Sequence, residues 1–288
     1  MGLPRTARSL VAACVVVASA CGGGGHVGTT PATADRTDEA VVHLSTECTG
    51  VLVGPSHVLT AAHCVEDPGP WTVRVGAERV WVAGCQVHPE AYRRARGCGQ
   101  GRGWSVRDHD LAVLRLSHAV DVTPVPVLLT APSLSDRWWQ RQRVRAVGWD
   151  RRPAAVGPLS QRSGPNRIVS APDRTFVTSP LGRAGFATVV GDSGGPALLD
   201  LRHGEAAVGI LFGGPAPGST DSVWVSLSEP SNARWLMRTL GPEFAADLAH
   251  LDPDSPWDPA DWTELGWRLR ARAPNPMDRA NAVRTVSP

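Results

Sequence analysis

Three short stretches hold residue types that can act together. LTAAHCV carries His63 at the end of an apolar run, RDHDLAVLRL opens an alternating segment on Asp110, and GDSGGP sets Ser193 between an acid and two glycines. A serine hydroxyl is a weak nucleophile near neutral pH and needs a base to take its proton. A neutral imidazole can serve, and a buried carboxylate can hold that imidazole in the productive tautomer and stabilise its cation. Attack on a carbonyl creates an oxyanion, which needs N–H donors aimed at it. Gly191 lacks a Cβ, so the chain just before the serine can bend and present its amide beside that of Ser193. His63, Asp110 and Ser193, with the Gly191 and Ser193 amides, are therefore the candidate machinery for acyl transfer. A lone His or Asp in such a setting is more often structural. GDSGGP is far more specific, and the order His, Asp, Ser joins it to the other two.

Other chemistries have less support. The chain has 288 residues, 42% hydrophobic and 19% charged, the composition of a globular protein. A net charge of +2 gives no argument for a nucleic-acid partner. There is no lysine, so all 29 basic residues are arginine, and Arg-rich runs such as 268–272 read as solvated surface. Cys14 and Cys21 lie in an N-terminal leader. Cys48, Cys64, Cys85 and Cys98 remain, and four cysteines downstream of an export signal imply two disulfides in an oxidising compartment. Three connectivities are open. The gaps are too wide for a CxxC pair and no paired histidines follow, so no zinc site, metal or cofactor is expected.

From Ala40 the chain is a series of short Val-rich runs separated by Gly, Pro or Asp: VVHL, CTGVLVG, HVLTAA, WTVRVG and RVWVAGCQV, then DLAVLRL, VPVLL and VRAVGW, then NRIVSA, TFVTS, PALLD, AAVGILFG and DSVWVSL. More than ten short strands with close turn signals predict an all-β sandwich or barrel architecture. The Pro- and Ser-rich stretch 131–136 could link two barrels. PSNARWLMRTL has Trp235, Leu236 and Leu240 at helical spacing, with Ser231 or Asn232 as N-cap. Residues 242–288 are expected to be a C-terminal helical extension, with a partner-binding or regulatory tail as the alternative. Asp258 and Pro259 start an amphipathic helix whose Trp262, Leu265 and Leu269 would pack on the main domain.

These words resemble those of a chymotrypsin- or trypsin-like serine protease, over about residues 40–241. TAAHC, DHDLAVLRL and GDSGGP carry the resemblance most strongly. VGW at 147–149, VGILFGG at 208–214, SVWVSL and the Trp235 helix extend it. It implies two six-stranded antiparallel β-barrels, split near 130–140, with short C-terminal helices and a cleft between the barrels. It makes His63 the general base, Asp110 its orienting acid and Ser193 the nucleophile of a serine endopeptidase acting on a protein or peptide substrate. His109 has no catalytic role in that pattern and is read as a loop residue. The resemblance also implies a Cys48–Cys64 bridge pinning the histidine loop, with Cys85–Cys98 as the second pair. By the same resemblance Ala187, Thr188, Leu211, Phe212 and Gly213 line the substrate pocket.

The chain departs from that pattern in two places. Ala187 stands where an acid would select Arg or Lys, which leaves an uncharged pocket suited to small or medium apolar side chains, and Val189 replaces a pocket cysteine. No Ile-Val-Gly-Gly-type start precedes VVHL, so Asp192 cannot rely on a newly cut α-amine. It needs an arginine or backbone amides, and an uncut, constitutively folded enzyme is expected, with cleavage after Arg36 the alternative.

Residues 1–20 read as a signal peptide, with Arg5 and Arg8 ahead of an apolar run too short to span a bilayer. Ala18-Ser19-Ala20 followed by Cys21 and four glycines resembles a bacterial lipoprotein signal, which implies an acylated Cys21, a flexible linker over 21–39 and an extracytoplasmic, membrane-anchored protein. Ordinary secretion is the alternative. Gly22 stands where a retention-type Asp would sit, which favours the outer membrane.

Overall fold

In the computed structural model, which describes residues 36–240 apart from 94–96, 102–106, 130–141, 151–158, 172–173, 202–203 and 215–217, the Val-rich runs form twelve antiparallel strands. The first six are β1 (Val41–Leu44), β2 (Thr49–Gly54), β3 (His57–Thr60), β4 (Thr72–Val75), β5 (Glu78–Val87) and β6 (Ala112–Leu116), and they close in the order β1-β2-β3-β6-β5-β4. The second six are β7 (Arg143–Asp150), β8 (Ser160–Ser170), β9 (Thr175–Pro180), β10 (Pro196–Leu201), β11 (Gly204–Gly213) and β12 (Ser222–Ser226), and they close as β10-β11-β12-β9-β8-β7. Two closed six-stranded barrels are the architecture the motifs implied. Closure pairs every strand on both sides and leaves no open edge. The leader, Cys21, the stretch 131–136 and the extension 242–288 lie outside the described residues.

Alternation sets the register. In β6 only Arg115 points outward between buried neighbours. In β8 Arg162, Gly164, Asn166 and Ile168 all face inward, every second residue, so two polar side chains enter the second barrel on the same face as the apolar ones.

Two expectations change. VPVLL is not a strand. Pro124 and Pro126 have no N–H to donate to a ladder, and the segment instead runs between barrels. Val125 N–H donates to Leu52 O at 2.8 Å, Leu128 N–H donates to Ala207 O at 2.9 Å, and Val127 makes a single bridge to Ala207. The C-terminal helix, preceded in the chain by the short α1 (Arg36–Glu39), is α2 (Pro230–Leu240), and neither Ser231 nor Asn232 caps it. Glu229 does: its Oε2 accepts the N–H groups of Ser231 at 2.8 Å and Asn232 at 2.9 Å, with Pro230 in the first turn. Asn232 is thereby free to reach the first barrel. Trp235, Leu236 and Leu240 pack into the core that includes that barrel, so a helix that follows barrel two in sequence closes over barrel one.

Candidate active site

His63 sits in a 3₁₀ turn (Ala62–Val65) just after β3, and each of its first three residues is tied down. The Cys48–Cys64 disulfide ties it to the start of β2. The buried Tyr92 hydroxyl donates to Ala62 O at 2.8 Å. The His63 N–H donates to Asp110 Oδ1 at 2.9 Å. Asp110 lies between a 3₁₀ turn (Arg107–His109) and β6, and is fully buried. Its other oxygen, Oδ2, is 2.5 Å from His63 Nδ1. One carboxylate thus fixes both the backbone and the ring of His63, leaving Nε2 as the acceptor nitrogen. Burial pushes the imidazole toward its neutral form, but the Asp110 charge and hydrogen bond together outweigh it and hold the pKa above the usual value. The Cys85–Cys98 bridge closes the loop after β5, whose Gly99 and Gly101 N–H groups donate to the carbonyls of Val65, the last residue of the histidine turn, and of Glu66 beside it.

GDSGGP forms two consecutive turns. Asp192 N–H donates to Val189 O at 3.2 Å, closing the first, and Gly195 N–H donates to Asp192 O at 2.9 Å, closing the second. The third residue of each is a glycine with positive φ, Gly191 at 106° and Gly194 at 83°, the region a type II turn requires there. Ser193 is the second residue of the second turn and is partly exposed. Its carbonyl accepts Thr49 N–H at 2.8 Å and lies 3.7 Å from Cys64 Sγ, which sets it beside the histidine turn. The Asp192, Gly194 and Gly195 amides all donate within the protein; among the described residues, those of Gly191 and Ser193 do not.

Asp192 is fully buried, and its partner is internal. Its Oδ2 accepts Arg162 Nη2–H at 2.5 Å and the Val189 N–H at 2.7 Å. Arg162 comes from β8, with its guanidinium 4.8 Å from the Phe186 ring centre and within 3.5 Å of Ala187 O. Burial pushes the Asp192 carboxyl up to about 7, against the pull of the Arg162 charge and the Val189 N–H. Four residues along β8, Asn166 donates to Phe186 O at 3.0 Å and accepts Phe186 N–H at 2.9 Å. Side chains of β8 therefore hold the pocket segment where the sequence lacks a pocket cysteine.

The predicted pocket residues separate. Ala187 and Thr188 are partly buried, and the Thr188 hydroxyl hydrogen-bonds that of the buried Ser222. Leu211 is buried in the core of the second barrel and contributes only backbone: its carbonyl accepts Gly194 N–H and its N–H donates to Gly195 O, both at 2.9 Å. Phe212 and Gly213 are the partly exposed members, and the Phe212 ring stands edge-on to His63 at 5.9 Å. Exposed Arg107 lies over the other partner of that pair, 5.3 Å from the Phe212 ring centre. His109 is 2% exposed, stacked on His88 at 4.7 Å, with Nδ1 2.9 Å from Asn232 Oδ1. It is a buried packing residue rather than a loop side chain.

Cys48, His63 and Cys64 bring ligand-type atoms within 4.8 Å of one another, but both sulfurs are bonded to each other, so neither offers the thiolate a metal would need. The sequence reading named neither Thr49 nor Arg162. Arg162 lies 30 residues before Asp192, and only barrel closure brings the two together.

The family model described as Trypsin matches residues 26–235. Vitamin K-dependent protein C of Mus musculus is 27% identical over 230 residues, 67% of this chain and 46% of that protein. Kallikrein 1-related peptidase b24 of Mus musculus is 27% identical over 222 residues, 67% of this chain and 80% of that protein. Inactive serine protease 35 of Mus musculus is 41% identical over 69 residues, 22% of this chain and 17% of that protein. All three are eukaryotic proteins, and the chain spans about half the length of protein C. With two closed six-stranded barrels and a family match over most of its length, the chain belongs to the trypsin family of serine protease domains.

Proposed function

We propose that the chain is a serine endopeptidase that cuts peptide bonds through an acyl-enzyme intermediate. The observation that carries this reading is the Asp110–His63 pair at 2.5 Å beside a turn whose Gly191 and Ser193 amides donate to no group in the described protein. Asp110 accepts the Nδ1 proton, so His63 Nε2 takes the Ser193 proton as Oγ attacks the carbonyl carbon. The carbonyl oxygen, now negative, accepts the two free N–H groups. His63 then passes its proton to the leaving amine, and water attacks the acyl-enzyme by the same route. The Asp192–Arg162 pair supports an enzyme that works uncut, because the acid already has its cation.

Specificity for small or medium apolar side chains is supported by Ala187 and by the Thr188 hydroxyl, which is bonded to that of the buried Ser222. Anchoring through an acylated Cys21, with the domain outside the cytoplasm at the outer membrane or cell surface, rests on the leader sequence alone. Palmitate incorporation that a Cys21→Ser chain loses would support it, and unchanged incorporation would favour plain secretion.

The second reading is a non-catalytic binding protein on the same fold, favoured by the stretch similar to a protein named inactive. Fluorophosphonate labelling of the full chain beside Ser193→Ala, followed by peptide-library profiling, separates the two. The enzyme reading expects an adduct on the wild type alone and cleavage after uncharged residues. No adduct on either protein would overturn it, and strong cleavage after Arg or Lys would overturn the pocket assignment.

A further inference from the structure

We infer that Arg107 is a specificity-determining residue, and that the cleft takes a peptide carrying Asp or Glu on the acyl side of the bond that is cut. The inference rests on the protease reading above. Arg107 opens the 3₁₀ turn that ends at His109, just ahead of Asp110. That turn is held from several sides. Asn232 Nδ2 donates to Asp108 O at 3.0 Å, His109 is stacked on His88 at 4.7 Å, and Asp110 is bonded to His63. The backbone carrying Arg107 is therefore fixed by the same contacts that fix the triad acid, while its side chain is exposed.

The guanidinium lies over the Phe212 ring, 5.3 Å from its centre, and the same ring stands edge-on to His63 at 5.9 Å. A fixed positive charge thus sits one aromatic ring away from the imidazole that serves Ser193. A ring attracts a cation but does not satisfy the five N–H donors of a guanidinium. Among the described residues Arg107 has no ion pair; the adjoining Asp108 turns instead to Arg174, with Oδ2 3.9 Å from Nη1. Two nearby acids of the site are engaged as well, Asp110 with His63 and Asp192 with Arg162. Phe212 lies between Leu211, whose backbone bonds Gly194 and Gly195, and Gly213, so its ring continues the wall of the proposed pocket. The substrate residue in that pocket is the one whose carbonyl Ser193 attacks, and the residues bonded ahead of it run past Phe212. A carboxylate there meets the guanidinium and accepts two parallel N–H bonds, which an amide or an ammonium cannot do. Contact with the ring restrains the arginine beforehand, so less side-chain freedom is lost on binding. A guanidinium that only covered Phe212 would not rank peptides by charge.

The test uses the full chain as wild type, Arg107→Gln, Arg107→Glu and Arg74→Gln. Each is profiled on a peptide library, then on matched peptides with Glu, Gln or Lys at the position the library selects. Arg74 also lies over a ring, 5.9 Å from the centre of Trp149, so its variant removes a like contact elsewhere. Wild type and Arg74→Gln are expected to favour the Glu peptide over the Gln peptide by about 5–20-fold in kcat/KM, a ratio that shrinks as salt is raised. Arg107→Gln should bring that ratio to about one, and Arg107→Glu should favour Lys over Glu. The inversion in Arg107→Glu carries the test by itself if Arg107→Gln does not fold. No acidic preference in the wild type, a preference confined to the leaving-group side, or one that Arg107→Gln or Arg107→Glu keeps overturns the inference. Fluorophosphonate labelling of Ser193 in the same wild-type sample then leaves the protease reading intact. A wild type that takes no fluorophosphonate overturns both.

Discussion

At the scale of single residues, Asp110 does two jobs with two oxygens, one on the His63 amide and one on its ring. The base must be neutral to accept the Ser193 proton, and Asp110 holds the imidazole pKa above its usual value despite burial. The acid limb of kcat/KM is therefore expected above pH ~6.5, the ordinary imidazole value. Asp110→Asn removes the Asp110 charge and its charged hydrogen bond and leaves burial opposed only by the smaller pull of Glu66, so the limb should move to lower pH. The rate should fall by about 10⁴-fold, the size of a tautomer error in a Ser-His-Asp triad. A pH–rate profile of both proteins checks the two effects, and an unmoved limb would show that Asp110 does not set it. Ser193, His63 and Asp110 were legible because each is embedded in a local word. Arg162, Thr49 and Tyr92 were not, because a strand arginine, a strand threonine and a loop tyrosine have no local mark of what they will touch.

Among the elements, α2 shows how a helix outside the site steadies it. Asn232, freed from capping by Glu229, bonds His109 and the carbonyls of Asp108 and Ser226, tying the turn before Asp110 to barrel two. His109 stacks on His88, and Trp235 stands edge-on to His88 at 5.2 Å. Burial first, and the neighbouring His109 second, push the His88 pKa down to about 4. An unfolded His88 takes its proton near pH 6.5, before the folded one does, so the stability that neutral His88 contributes is full above that pH and is lost as pH falls toward 4. The loss attributable to this group should be about 3 kcal/mol. Urea titrations at pH 7 and pH 4.5 should show a slope that His88→Phe largely removes; an equal slope in both proteins would place it elsewhere. The sequence pattern placed α2 and the strands well, because amphipathic periodicity is local. It misread VPVLL, because the hydrogen bonds to Leu52 and Ala207 are made across the molecule, and it misread the cap, because Asn232 is drawn off to distant His109 while Glu229 takes the helix N–H groups.

Across the whole molecule, the N-terminal segment and the nucleophile acid have separate partners. Arg145 on β7 makes a two-point pair with Glu205 on β11, with Nε–Oε1 at 2.7 Å, and also bonds Asp38 in α1. Gln161 donates to Asp38 O at 2.7 Å, so the incoming chain is strapped to barrel two while Arg162 supplies the cation for Asp192. Arg162→Met should take away the charge that pulls the Asp192 pKa down, so the buried carboxyl takes a proton at neutral pH; its loss of stability in denaturant unfolding should deepen as pH rises, and adding Asp192→Asn should remove that pH dependence. Full-length protein never exposed to a processing protease should label with fluorophosphonate, and Arg162→Met should not. Labelling that appears only after a cut in the linker would overturn the uncut reading. The sequence by itself determined the candidate triad and the barrel class, because the GDSGGP turns, the cysteines and the period-two runs act over a few residues. Only the tertiary structure decided what holds those residues in place: the Arg162–Asp192 pair, the Thr49 hydroxyl bridge to Gly191 O and the α2 buttress. Each joins residues that are distant in sequence, and a buried charge or carbonyl accepts whichever donor closure of the barrels brings within reach.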